Sequence, residues 1–204
     1  MTDSKNGTRW GRALALIIGA LIPAGFIGAA AASSALGAGL AMQSDQASFT
    51  TAGISTDDPL GIIVHPQLVK DKNGNTYTEY VVKLQASNAV ARGICVAEKV
   101  SLFGQTLTIL IESGDQEIQI SGVSATIHTV STSLKATGTV RLNQNAADVS
   151  AGGVSLGGAF GELGITAGGA SLGSASGTLQ GAMLKGGSIS DLHARLVPGD
   201  VSCG

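Results

Sequence analysis

Two serines stand at the centre of Gly-x-Ser-x-Gly: Ser155 in Gly153-Val154-Ser155-Leu156-Gly157 and Ser171 in Gly169-Ala170-Ser171-Leu172-Gly173. That spacing is the nucleophile elbow of serine hydrolases, in which a strained strand-to-helix turn exposes the hydroxyl. The chain offers Glu162 or Asp191 as the acid and His193 as the base. Asp191 and His193 would share one face of a strand. Three features weigh against catalysis. Residues 152–181 hold 11 Gly and 4 Ser, a composition that spells the pattern by accident, and a segment that repeats itself doubles any match it makes. The stretches after each serine, 157–161 and 173–177, are too rich in Gly to begin a helix. The alternation of strands and helices on which such enzymes are built is also missing. No catalytic residue is assigned. His65, before Pro66, and His128, inside an alternating stretch, read as ordinary polar positions.

A metal reading fails on the same kind of detail. Asp71, Asn73 and Asn75 occupy positions 1, 3 and 5 of a calcium loop. Position 6 is then Thr76, where the turn needs Gly, and position 12 is Val82, where a bidentate Glu is needed. Asn73-Gly74 between alternating runs is instead a hairpin signal. No metal or other cofactor is expected. Cys95 and Cys203 have no histidine near them in sequence, and an exported chain with two cysteines points to one disulfide. Two buried free thiols are the alternative. A bridge between them closes a loop of 108 residues and contributes on the order of 4–5 kcal/mol in the chain-entropy account.

The export argument rests on the N-terminus. Lys5, Arg9 and Arg12 form a basic leader, residues 1–12, and residues 13–42 carry no charge at all. About 20 apolar residues in a helix cross a bilayer, and the basic side stays cytoplasmic. The stretch reads as either a retained transmembrane anchor or a signal peptide cleaved after Ala32 or Ala41. Residues 43–204 then form one exported domain, attached to the membrane or released. From residue 43 on, 9 Lys and Arg face 13 Asp and Glu, and no basic patch invites nucleic acid.

That exported part reads as mainly β, an antiparallel sheet or meander or a solenoid-like stack, after one N-terminal apolar helix. Strands are predicted over 47–55 and 61–65 (ended by Pro66), and over the hairpin 68–70 and 76–84. Others are predicted over 106–112, 117–120, 123–130 and 134–142. Residues 143–145 read as a turn. Residues 86–96 are the sole modest helix candidate. Gly doublets recur at Gly152-Gly153, Gly168-Gly169 and Gly186-Gly187, spaced for a hairpin repeat or for coils of a solenoid. Backbones approach closely where side chains are absent, so these six residues form the candidate contact surface, with a loop-rich cap as the plain alternative.

The stretches RWGRALALIIGA and QASFTTAGI, Cys95 within GICV, and the ending SGTLQGAMLKGGSISDLHARLVPGDVSC resemble an uncharacterised actinobacterial cell-envelope family of chains of this length with one N-terminal membrane segment. Some of its members carry the label cholesterol esterase, yet the family pattern supplies no catalytic residues. Its members are often encoded beside a small multi-pass membrane protein, which the resemblance implies as a partner. The expectation is a non-catalytic envelope protein acting through its β surface in assembly or self-association. The alternative is a carrier of lipid or another apolar ligand in a β groove. After residue 42 there are three Phe, two Tyr and no Trp, so a sheet clad in small aliphatics can leave a concave face unfilled.

Overall fold

The computed structural model describes residues 39–40, 47–70, 73–102, 104–185 and 192–203. The basic leader, most of the apolar stretch, both cleavage positions, Asp71, Gly186, Gly187 and Asp191 lie outside them. The alternating, β-branched runs form strands throughout. In chain order these are β1 (Gly39–Leu40), β2 (Ala47–Thr51), β3 (Gly53–Thr56), β4 (Leu60–Lys70) and β5 (Thr76–Ala86). Next come β6 (Ala89–Arg92), β7 (Cys95–Leu102), β8 (Gln105–Ser113), β9 (Ile118–Ile120), β10 (Gly122–Thr137) and β11 (Arg141–Asn145). The last are β12 (Ser150–Ala151), β13 (Val154–Ser155), β14 (Leu163–Ala167), β15 (Gly169–Lys185) and β16 (Leu192–Pro198). The described residues contain no α-helix, only one 3-10 turn, Ala146–Asp148, capped by Asn145.

One long ribbon organises the sheet. β10 runs antiparallel to β15 from Gly122↔Lys185 to Thr137↔Gly169. β11 continues against β14, from Arg141↔Thr166 to Asn145↔Leu163. The two pairings are one ribbon bent at Gly138, whose positive φ of 68° disfavours any side chain. Gly168 lies directly across the bend, where a Cβ on either glycine would stand 3.3 Å from the other's Cα. The β4–β5 hairpin fills the bend. β5 pairs with the near half through Ile127↔Val82 and Val123↔Ala86. β4 pairs with the far half through Leu163↔Val64 and Ala167↔Leu60.

On its other side β15 carries two branches. β2 pairs with residues 175–179 and leads to β7, β8 and β16; β3 pairs with residues 170–172 and leads to β6 and β9. The branches part at Ala52, whose N–H donates to the Arg92 carbonyl at 2.9 Å. Ala89, Ala91, Ile118, Ile120 and Val123 form one core cluster. Ala47, Val96, Ile111 and Leu179 form a second.

Four expectations are corrected. Pro66 does not end its strand: β4 runs on to Lys70, because beyond Val64 its outer side has no described partner and an edge tolerates a missing N–H. The helix candidate 86–96 is strand instead. Ala89 and Ala91 pair with Ile120 and Ile118 and are buried there, so tertiary pairing overrides helical propensity. Asn143 to Asn145 lie within β11, with Asn143 taking a left-handed φ of 56° at the register shift. The Gly-rich segment forms no solenoid coils, since every pairing in the sheet is antiparallel and residues 169–185 are one strand.

Candidate functional site

β4 reads LGIIV because both its faces are covered in different ways. Alternation sends Ile63 to one face and Leu60 and Ile62 to the other. Ile63 is fully buried under Ala146, Val149 and Leu156, contributed by the tip of the ribbon. Leu60 and Ile62 face the inside of the bend. They meet Ile165 and Ala167, directly opposite on β14. The far wall of this space is Leu134 and Ala136 of β10 with Ala170 of β15. Val140 and Leu142, just past the corner, complete it.

The result is an open cavity of about 170 Å³ walled by aliphatic side chains. Three wall residues are exposed to solvent in part: Leu142 at 69%, Leu134 at 49% and Val140 at 42%. The ribbon's bend creates this geometry, for it carries β10 away from β5 after Ile127 and leaves the gap unfilled. Ile62, Leu134, Ala136, Val140 and Leu142 fall in stretches predicted as strand, but nothing in the sequence marks the groove residues as walls of one site, because they meet only through long-range register.

The tip that covers Ile63 is held down by a pair that sequence reading missed. His65 Nδ1 lies 3.0 Å from both carboxylate oxygens of Glu162. A carboxylate only accepts, so Nδ1 carries the proton. Glu162 Oε2 also accepts the Ala159 N–H at 2.9 Å. That backbone hydrogen bond first, then His65, holds the Glu162 carboxyl below its ordinary 4.5, against the opposing effect of burial. A lowered folded-state pKa adds stability that is present above the ordinary value and lost as pH falls through the lowered one. Glu162→Gln is therefore expected to destabilise the protein at pH 7 and to flatten the acid limb of a melting-temperature profile below pH 4.5. An unchanged acid limb would show that the pair does not hold the tip.

A second histidine pair ties β10 to β5: His128 Nε2 is 3.0 Å from Glu79 Oε1. The His128 Nδ1 is buried and has no hydrogen-bond partner among the described residues.

Neither elbow serine has the surroundings the motif needs. Ser155 lies in the short β12–β13 hairpin, and its Oγ accepts the Gly157 N–H at 3.2 Å. Ser171 sits in mid-strand, opposite Lys135 on one side and Ser55 on the other. His193 faces Glu112 across β8. Glu162 serves His65. Gly74, at φ 84°, turns the β4–β5 hairpin, and Val82 pairs within the sheet, so the calcium-loop spacing belongs to a hairpin. Among the described residues no three metal-ligating side chains come together.

Cys95 and Cys203 are joined, with Cα atoms 5.8 Å apart. Gly152 and Gly153 form the two-residue turn between β12 and β13, both with positive φ, as a type I′ turn demands. Gly168 belongs to the corner. Gly169 is buried, and a Cβ there would stand 2.9 Å from the Thr56 carbonyl. Of the four described glycines, Gly152 and Gly153 are exposed at their turn, Gly168 is half-buried at the corner and Gly169 is buried at the start of β15.

Compared with protein-family models, with curated proteins and with solved structures, the chain has no match in any of the three.

Proposed function

We propose that this is a non-catalytic cell-envelope protein, exported behind its N-terminal apolar segment, that binds an aliphatic chain such as a lipid acyl chain in the groove of the bent ribbon. The observation that carries this reading is the wall composition: every residue lining the groove is Leu, Ile, Val or Ala. Leaving Leu134, Val140 and Leu142 in water is unfavourable, since full burial of a Leu side chain is worth about 1.5–3 kcal/mol. An acyl chain supplies that burial and asks for no hydrogen bond in return. The residues lining the groove carry no nucleophile.

The test is titration with cis-parinaric acid, a fatty acid whose fluorescence rises on entering an apolar site. The unmodified protein is expected to bind it. Leu142→Asp and Leu134→Asp, at positions 69% and 49% exposed, are expected to weaken binding at least about tenfold, with circular dichroism checking that each variant keeps its β content. Binding unaffected by either change would place the ligand elsewhere.

Assembly through the β surface is the second reading, with a further copy or a membrane-embedded partner. A free strand edge favours it. β10 has partners on both sides as far as Ile127 and, among the described residues, only β15 from there on.

A further inference from the structure

We infer that the outer edge of β10 docks the same edge of a second copy of this chain, the two strands running antiparallel about a two-fold axis at Ser133. The inference rests on the assembly reading and gives it a partner and a register. Thr129 to Thr137 are all exposed, so no described segment covers this strand where β5 leaves it. An edge with unpaired N–H and C=O groups templates pairing unless it is blunted by charge, proline or covering structure. Here the sequence is TVSTSLKAT: rich in β-branched residues, free of Pro and Gly, and with one charge, Lys135. Its one irregularity against β15 is the register shift between Thr132 and Leu134.

Three other edges among the described residues are blunted. β16 carries His193, Arg195 and Pro198. β11 carries Arg141 and the left-handed Asn143. The projecting arm of the hairpin carries Pro66 on β4 and Glu79 on β5.

The β10 edge is also complementary to itself. With Ser133 opposite Ser133, Thr129 faces Thr137, Val130 faces Ala136, Ser131 faces Lys135 and Thr132 faces Leu134. No charge meets its like, and Thr–Thr pairs of this kind stabilise a sheet. Two-fold pairing is isologous and closes after two copies. In this register Val130, 43% exposed, lies beside Ala136 of the other copy and extends the apolar groove wall. A single strand pair buries less than the roughly 1,200 Å² of a standard interface, so the dimer belongs to the weak, concentration-dependent class.

Sedimentation equilibrium of the full chain in mild detergent tests it. Ser131→Lys sets Lys opposite Lys135 twice in the dimer and is expected to raise the dimer Kd about tenfold, while Ser131→Glu is expected to lower it a few-fold, about 0.2–1 kcal/mol per cross-strand pair. Oxidation of Ser133→Cys is expected to give a covalent dimer, and of Arg195→Cys none. Circular dichroism checks that the variants keep their β content. Self-association indifferent to the sign of charge at 131, with no cross-link at 133, would overturn the β10 register and leave assembly by another surface. A monomer at every concentration would overturn both.

Discussion

Replacing Cys203 with serine is expected to lower stability by about 4–5 kcal/mol, the largest effect of any single change. The bridge closes 108 residues between the first residue of β7 and the chain's end. It adds to weaker ties at the same place. The buried Thr108 hydroxyl donates to the Gly199 carbonyl at 2.9 Å and accepts the Val201 N–H at 3.1 Å. The Gly199 N–H donates to the Thr106 carbonyl at 2.9 Å. Without the bridge these hydrogen bonds, the Lys99–Asp200 ion pair at 2.7 Å and the β16–β8 pairing hold the tail. For a chain of this size the change corresponds to a fall in Tm of roughly 8–20 °C. Thermal melts of Cys203→Ser and of the reduced unmodified protein are expected to coincide. A fall of under about 1 kcal/mol would mean that the unfolded chain gains little freedom from opening this loop.

Ile63→Ala is expected to destabilise by about 2–5 kcal/mol. Ile63 is fully buried, and its neighbours Ala146, Val149 and Leu156 all come from the tip of the ribbon. The tip cannot collapse freely onto the vacancy, because the His65–Glu162 pair and the Ala146 N–H to Glu162 carbonyl bond fix its distance from β4. The lost contacts therefore stay lost. Ile62→Ala, one residue away, faces the half-open groove and is expected to cost less. Urea denaturation of the two variants measures the difference, and equal losses would contradict the assignment of the two faces of β4. Hydrogen exchange adds a local readout: Leu156 N–H, bonded to the Val149 carbonyl at 3.2 Å, is expected to lose protection in Ile63→Ala and keep it in Ile62→Ala.

The two faces of β4 show what the sequence made legible. Alternation and turn residues mark the strands over 76–84, 106–112 and 123–130, but not β15 or β16, and the Asn73-Gly74 hairpin follows from local geometry alone. What escaped was every feature that depends on which strands meet. Nothing local announces that Gly138 and Gly168 lie across one corner, since they are 30 residues apart and only the register of β10 with β15 joins them. His65 reads as an ordinary polar position in the sequence because its partner Glu162 lies 97 residues on. The groove escaped for the same reason: its walls come from five stretches of chain. Its signal in sequence was the apolar alternation of Leu134, Ala136, Val140 and Leu142 around a glycine, on a strand with no second partner to bury it. The disulfide was legible because the cysteine count, with the export expected from the N-terminal stretch, points to it without any knowledge of topology.

Native mass spectrometry of the full chain purified from its own host tests the central claim, that the ribbon's groove holds an aliphatic chain. The expected spectrum shows one lipid-sized adduct per chain, absent from Leu142→Asp prepared in the same way. Bare protein mass in both samples, before and after incubation with vesicles of mixed host lipids, would contradict it.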